Sequence, residues 1–210
     1  MNYRIMTLPN QLTVFRLVLT PLFFILMVVG DSPYNTFAAT IIFIIASMTD
    51  AYDGFIARKY GTVTRWGTFL DPLADKILIS TAFIALMIKG YLSTWMILTV
   101  LIRDAIVTLI RAYGLWKNKP IKTEIFAKWK TSLQILLIGL LLLYDNMVTN
   151  PFGKTLSLEL QEIIRQSGVI DAAMLVIVIM TVYTGFRYII GNRKFVKQMA
   201  LGIYRTILNS

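Results

Sequence analysis

The sequence predicts an all-α integral membrane protein with six transmembrane helices. Hydrophobic residues make up 57% of the 210 residues, and the mean hydropathy is +0.67, which is more apolar than is usual for a soluble domain. Apolar runs of about twenty residues recur along the chain, and positive charge is concentrated in alternate loops between them. We expect a single membrane domain over residues 1–210, because no internal repeat or low-complexity linker interrupts the sequence.

Six runs are candidates for the spanning helices, since a helix must cross about 30 Å of hydrocarbon. In chain order they cover residues 12–29, 36–48, 68–88, 94–116, 131–148 and 169–190. The second run is short, and it reaches the required length only by continuing through Asp50 and Asp53. These two aspartates are therefore expected on the last turns of a membrane helix.

Positive charge predicts the orientation of the chain. Of the 21 Lys and Arg residues, only Lys89, Lys154 and Arg165 fall in the loops after the first, third and fifth runs. The positive-inside rule then places both termini and the aspartate segment on the cytoplasmic side of a cell (inner) membrane. The net charge of +10 reflects this topology and attraction to anionic membrane lipid, so no nucleic-acid partner is expected. Residues from about 191 to 210 alternate basic and apolar character, as an amphipathic tail would.

Four aspartates near the second and third runs predict a metal site. Asp50 and Asp53 are three residues apart, and Asp71 and Asp75 are four apart, so each pair projects from one face of a helix. A carboxylate at bilayer depth costs on the order of 3 kcal/mol, so the acids need compensation. The chain has no His and no Cys, which leaves a hard cation such as Mg²⁺ or Mn²⁺. Four carboxylates match two divalent ions, an arrangement suited to phosphoryl chemistry at a cytoplasmic cleft.

Each aspartate taken singly also has a structural interpretation. Asp-Gly in "YDGF" is a common turn signal, and Asp71 before Pro72 is a good helix N-cap. Neither interpretation accounts for four acids at helical spacing beside membrane helices. We therefore favour the metal site.

Small residues beside the aspartates predict room for a ligand. Gly54 and Gly67 allow a ligand to approach the backbone, and Ala57 keeps the same face shallow. Arg58 can form two parallel hydrogen bonds with phosphate oxygens, which Lys cannot do with equal geometry. The expected ligand is therefore a phosphate compound.

The segment "DAYDGFIARKYGTVTRWGTFLDPLAD" fits the pattern D-x2-D-G-x2-A-R-x8-G-x3-D-x3-D without a gap or substitution. It resembles the signature of the CDP-alcohol phosphotransferases, integral membrane enzymes of phospholipid synthesis. The resemblance implies six transmembrane helices, usually in a homodimer. It also implies a reaction in which an alcohol oxygen attacks the phosphorus that carries the lipid and displaces CMP.

The same resemblance implies roles for individual residues. It assigns all four aspartates to metal binding and Asp75 also to the general base, which suits a chain without imidazole. It assigns Gly54, Ala57 and Arg58 to the cytidine and pyrophosphate of the CDP-linked donor. Thr64 falls where some members place a hydroxyl near the donor.

Charged residues in the fourth and fifth runs are candidates for acceptor binding. Arg103 lies within an apolar run, where a charge is normally functional or paired, here with Asp104 as the nearest acid. Arg111 is seven residues beyond Asp104 and shares its helical face. Lys128 and Lys130 lie toward the cytoplasmic side, where they serve either an acceptor phosphate or only the positive-inside rule.

Three further stretches, "LPNQLTVFRLVLTPLF", "LIRDAIVTLIRAYG" and "KWKT", resemble the branch of the family that makes phosphatidylglycerophosphate. This resemblance implies transfer of a phosphatidyl group from CDP-diacylglycerol to sn-glycerol 3-phosphate. Asp104 stands where Glu is usual and Ala127 where Gly is usual, so inositol phosphate, inositol or serine stays open as the acceptor. Outside the family, the alternatives are an intramembrane prenyltransferase and a divalent-cation transporter.

Overall fold

The computed structural model describes the backbone of residues 8–30, 32–60, 65–116, 125–149, 158, 162–164, 166–193, 195–197 and 199. Side chains are described over these ranges except at residues 8–10, 50–60, 65–72, 115–116 and 125–128. Over this part of the chain the fold is all-helical, as predicted, and no strand occurs in it.

Six long helices form the described fold. They are α1 (Leu8–Val28), α2 (Pro33–Tyr60), α3 (Arg65–Ile88), α4 (Thr94–Trp116), α5 (Ile125–Thr149) and α6 (Val169–Gly191). Each overlaps one predicted span, and α4 has the predicted bounds. Helix α2 extends past the short second apolar run to Tyr60, which confirms that the run continues through the first aspartate pair.

Helix α3 lies at the centre of the bundle, where it contacts α1, α2, α4 and α5. Helix α1 packs along α2 and α3, and α6 packs against α4 and α5. Every one of the six helices contributes buried side chains to one apolar core, among them Phe23, Phe43, Phe83, Ile97, Ile138 and Met174. Close packing of this core sets the rotation of each helix and therefore the direction of its polar side chains.

Large apolar side chains also cover the outside of the bundle. Val18, Phe37, Leu109 and Phe186 are each more than 60% exposed, whereas a soluble monomer rarely exposes extended apolar surface. Among the described residues, three stretches are long and apolar enough to cross a membrane: Gln11–Val28, Trp129–Thr149 and Val169–Gly191. The protein is therefore a membrane protein, and much of its described surface is apolar.

At the end of the bundle where α3 connects to α4, a buried carboxylate joins this connection to α5 by hydrogen bonds. Asp145 of α5 is 1% exposed, and it accepts hydrogen bonds from Lys89 Nζ at 2.7 Å and from the Tyr91 hydroxyl at 2.6 Å. Burial, and then the hydrogen bond to Asp145, raise the pKa of Tyr91, so the phenol stays protonated and donates. The next residue, Asn146, donates to Thr40 Oγ1 on α2 at 2.6 Å. Helices α2 and α5 and the α3–α4 connection are thus joined by polar contacts.

The predicted amphipathic tail packs partly on the bundle. Phe195, Val196 and Met199 contact a small buried cluster on α4 and α6, and the Phe195 ring lies 5.8 Å from the ring of Tyr113. These three apolar side chains of the tail therefore contact the bundle. Residues 194, 198 and 200–210 of the tail lie outside the described residues.

The contacts of Asp145 predict a measurable loss of stability when its charge is removed. Asp145→Asn should lower the free energy of unfolding by about 1.5–3 kcal/mol, because the Lys89 ammonium and the Tyr91 hydroxyl lose a charged acceptor. Thermal unfolding of the purified protein in detergent measures the change. The control is Asp171→Asn, since Asp171 is exposed in the first turn of α6. Equal shifts for both variants would contradict the assignment.

Candidate active site

The two aspartate pairs lie on consecutive helices. Asp50 and Asp53 are on α2, and Asp71 and Asp75 are on α3, so both spacings fall on helical backbone, where each pair shares a face. Of the four side chains the structure describes that of Asp75, which is half-buried. Among the side chains described, no group of three His, Cys, Asp or Glu converges. The meeting of the four carboxylates at one metal site therefore stays a prediction.

Helical backbone excludes the two structural interpretations of these aspartates. The "YDGF" segment lies inside α2, so it is not a turn. Asp71 and Pro72 lie inside α3, which begins more than one turn earlier at Arg65, so Asp71 is not an N-cap. The backbone therefore gives Asp53 no turn role and Asp71 no capping role.

The predicted donor-binding residues follow the same two helices. Gly54, Ala57 and Arg58 lie on α2, at spacings that place them on the face of the first aspartate pair. Gly67 lies on α3, one turn before the second pair. Thr64 lies outside the described residues, and the contacts of all these residues stay predictions.

A buried carboxylate surrounded by three cations forms the most charged part of the described structure. Asp104 of α4 is 5% exposed. Its Oδ1 accepts hydrogen bonds from Arg103 Nη1 at 2.9 Å and from Lys130 Nζ of α5, and its Oδ2 lies 3.2 Å from Lys76 Nζ of α3. We call these four residues the Asp104 cluster. Three cations and one carboxylate leave it with a formal charge of +2.

Lys130 is 1% exposed, so its role is not limited to the positive-inside rule, which needs only a charge at the membrane surface. A buried ammonium is costly unless it is paired and hydrogen-bonded, and Asp104 provides that pairing. The expected pairing of Arg103 with Asp104 is confirmed. Arg111 is half-buried on α4, and the side chain of Lys128 lies outside the described set.

Helix α6 holds the other side of Arg103. Its Nη2 donates a hydrogen bond to Thr184 Oγ1 at 2.8 Å. The Thr184 hydroxyl in turn donates to the Met180 carbonyl at 2.7 Å, so its lone pairs are left to accept from Arg103. One guanidinium thus joins α4 to α6.

The sequence analysis did not single out three residues, namely Lys76 and Thr184 of this arrangement and the buried Arg16 of α1. Lys76 follows Asp75 directly, so its place beside the aspartate motif was an available signal. Thr184 lies in an apolar run with no signal of its own. Arg16 on α1 is 0% exposed, and a charge inside an apolar run marked it in the same way as Arg103.

A groove of about 440 Å³ opens beside the Asp104 cluster between α3 and α4. Lys76 and Asp104 form its charged part, and its walls are largely apolar, with Leu73, Ile77, Leu101 and Leu109. A pocket with mostly apolar walls and a few charged groups suits a ligand with both an apolar and an ionic part.

Comparisons with known proteins agree with the resemblance to the CDP-alcohol phosphotransferases. A family model described as CDP-alcohol phosphatidyltransferase matches residues 6–183. The chain is 35% identical over 204 residues to the CDP-diacylglycerol–glycerol-3-phosphate 3-phosphatidyltransferase of Bacillus subtilis strain 168, covering 90% of this chain and 97% of that protein. It is 37% identical over 145 residues to the protein of the same name from Escherichia coli strain K12, covering 67% of this chain and 79% of that protein.

Removing the central charge of the Asp104 cluster should destabilise the bundle. Asp104→Asn should lower the free energy of unfolding by about 3 kcal/mol, because breaking a buried ion pair leaves like charges uncompensated. The unfolding midpoint in detergent gives the measurement. Glu162→Gln, which neutralises an exposed acid, should leave the midpoint nearly unchanged. A midpoint for Asp104→Asn within a degree of the parent protein would show that the cluster does not hold the helices.

Proposed function

The chain belongs to the CDP-alcohol phosphatidyltransferase family, and from this membership we infer its reaction. It is a transferase of phospholipid synthesis that moves the phosphatidyl group of CDP-diacylglycerol to sn-glycerol 3-phosphate. The products are phosphatidylglycerophosphate and CMP. Family membership decides against the prenyltransferase and the cation transporter.

The Asp104 cluster is the observation that most supports glycerol 3-phosphate as the acceptor. Its formal charge of +2 complements a phosphate group, which carries up to two negative charges. Inositol and serine lack a phosphate and would leave that charge uncompensated. Inositol phosphate would satisfy it, and it is the alternative acceptor to be tested. We assign the acceptor phosphate to Arg103, Arg111, Lys128 and Lys130, and we add Lys76.

Members of this family generally use divalent metal ions. The oxygen ligands of this chain fit such an ion, because the carboxylates Asp50, Asp53, Asp71 and Asp75 belong to two consecutive helices. We propose that these four residues hold two ions, Mg²⁺ or Mn²⁺. When bound, such ions supply positive charge that stabilises the pyrophosphate of the donor.

We propose that Asp75 acts as the general base. It accepts the proton of the acceptor hydroxyl while the new oxygen–phosphorus bond forms, and the bond to CMP breaks with its electron pair leaving on CMP. Asp75 and Lys76 are adjacent on α3, and Lys76 belongs to the Asp104 cluster. Glycerol 3-phosphate carries its phosphate and its attacking hydroxyl at opposite ends of three carbons. One glycerol 3-phosphate molecule can therefore place its phosphate at the Asp104 cluster and its attacking hydroxyl at Asp75.

We assign the CDP-linked donor to the face of α2 that carries Asp50 and Asp53. Gly54 and Ala57 leave space for cytidine and pyrophosphate, and Arg58 contacts phosphate oxygens. We assign Thr64 and Gly67 to the same ligand. The mostly apolar groove between α3 and α4 is available to the acyl part of the lipid.

We further propose six transmembrane spans, cytoplasmic termini, an inner-membrane location and a homodimer. The charges within α4 are compatible with a span, since Asp104 is buried and paired with Arg103. The opposite face of α4 exposes apolar side chains such as Leu98, Ile102 and Leu109. Helix α4 can therefore meet lipid on one face and carry charge on the other.

The assignment of Asp75 as base predicts a loss of turnover with little loss of donor binding. Asp75→Asn should lower kcat by about 10²-fold or more, because the amide cannot accept the proton. CDP-diacylglycerol binding should change much less, since three aspartates and Arg58 remain. CMP release and equilibrium binding of the donor are the two measurements. Turnover within a few-fold of the parent protein would make the base assignment wrong.

The acceptor assignment predicts a selective effect at Lys130. Lys130→Gln should lower kcat/KM for glycerol 3-phosphate by roughly 10- to 150-fold, since a charged hydrogen bond is worth about 1.5–3 kcal/mol. The KM for CDP-diacylglycerol should stay nearly constant. Lys197→Gln, which removes an exposed cation from the tail, is the matched control. If the two variants behave alike, or if serine is the better acceptor, the acceptor assignment fails while the CDP-alcohol chemistry remains.

A further inference from the structure

Helix α6 makes a contact with Arg103 that depends on the absence of a side chain. Gly185 is buried against Arg103, and a Cβ at this position would lie 2.9 Å from both Cγ and Nε of Arg103. Real Cβ atoms essentially never come this close to another heavy atom. The arginine can therefore keep its present path across α6 only while residue 185 is glycine.

Space, rather than backbone conformation, requires glycine at position 185. Gly185 lies in the regular α6 helix, whereas the described glycines with positive φ are Gly90 and Gly168. At Gly191 on the same helix and at Gly139 on α5, no heavy atom lies within 4 Å of the position that a Cβ would take. Of the helical glycines Gly139, Gly185 and Gly191, the close approach thus occurs at Gly185, while outside the helices Gly30 has a close neighbour in Asn35.

The neighbouring residue fixes the direction of the guanidinium. Thr184 is 5% exposed, and its Oγ1 accepts from Arg103 Nη2 while its own proton goes to the Met180 carbonyl. Arg103 Nη1 donates to Asp104 at the same time. Both ends of the guanidinium fork are therefore held, one by α4 and one by α6.

A second groove offers Arg103 an alternative path. This groove of about 370 Å³ lies between α4 and α6, and Arg103 and Gly185 line it together with apolar residues such as Ile102, Val182 and Ile189. Arginine side chains at membrane depth extend along apolar surfaces toward water when nothing holds them. The hydrogen bond to Thr184 opposes such a movement, and the missing side chain at Gly185 leaves room for Arg103 beside Asp104.

We propose that Thr184 and Gly185 are positioning residues for the acceptor-phosphate site, and that α6 thereby takes part in acceptor recognition. This inference rests on the proposed function, in which Arg103 binds the phosphate of glycerol 3-phosphate. Both residues lie beyond position 183, where the match to the family model ends. Their effect reaches the substrate through Arg103, so neither residue needs to contact it.

The test begins with four variants of the protein in detergent or proteoliposomes. Thr184→Val keeps the shape but removes the hydroxyl, and Gly185→Ala adds the obstructing Cβ. The matched controls are Thr181→Val, whose buried hydroxyl has no partner among the described residues, and Gly191→Ala, which has open space. Each variant is assayed for the KM of glycerol 3-phosphate, the KM of CDP-diacylglycerol and kcat.

Thr184→Val and Gly185→Ala should each raise the KM for glycerol 3-phosphate by about tenfold, with the donor KM changed by less than about twofold. Thr184→Ser, which restores the hydroxyl, should return the acceptor KM to within about twofold of the parent value. In an Arg103→Gln background, adding Gly185→Ala should raise the acceptor KM no further, because both changes act on one side chain. The two controls should leave all three constants unchanged.

Several results would overturn the inference. A general loss of kcat with both KM values unchanged would show only a structural role, as would equal effects of Thr181→Val and Thr184→Val. If Arg103→Gln raises the acceptor KM while the two α6 variants do not, positioning by α6 is wrong and the acceptor site stands. If Arg103→Gln itself leaves the acceptor KM unchanged, the assigned acceptor site fails and the positioning inference fails with it. Should Gly185→Ala not insert into the membrane, Thr184→Val and Thr184→Ser decide the question.

Discussion

The compensation of one buried carboxylate governs the arrangement of four helices. Asp104 is nearly inaccessible, and it is approached by cations from α3, α4 and α5, while Arg103 also reaches α6. An unpaired charge in a low-dielectric interior is costly, whereas a paired and fully hydrogen-bonded charge is tolerated. The helices must therefore keep the rotations that satisfy Asp104. Because cations exceed carboxylates in the cluster, the same constraint leaves positive charge for an anionic ligand.

Helix α5 connects this cluster to the other buried carboxylate. Lys130 near its start contacts Asp104, and Asp145 near its end receives Lys89 and Tyr91. The two residues are separated by about 22 Å along the helix at 1.5 Å per residue. Apolar residues such as Ile138 and Leu142 fill the space between them. Polar contacts thus fix both ends of α5, and apolar packing fills its middle.

Much of the candidate site could be predicted from local sequence, because helical spacing is a local property. The aspartate pairs, the extension of α2 and the pairing of Arg103 with its neighbour Asp104 follow from residues a few positions apart. Contacts of Lys76 and Thr184 could not be predicted in this way. They join residues 28 and 81 positions apart in sequence, and they depend on how each helix is rotated and shifted against the others.

The sequence by itself determined the fold class, the helices, the family and the chemistry, because apolar run length, charge distribution and motif spacing are properties of the chain in order. It left Lys130 undecided between topology and binding, and it carried no sign that Gly185 lies against Arg103. The tertiary structure shows that Lys130 is buried beside Asp104 and that Gly185 leaves room for Arg103, since burial and the space beside a Cβ are set by atoms from distant parts of the chain. In a close-packed bundle, an arginine can cross a neighbouring helix only where that helix lacks a side chain.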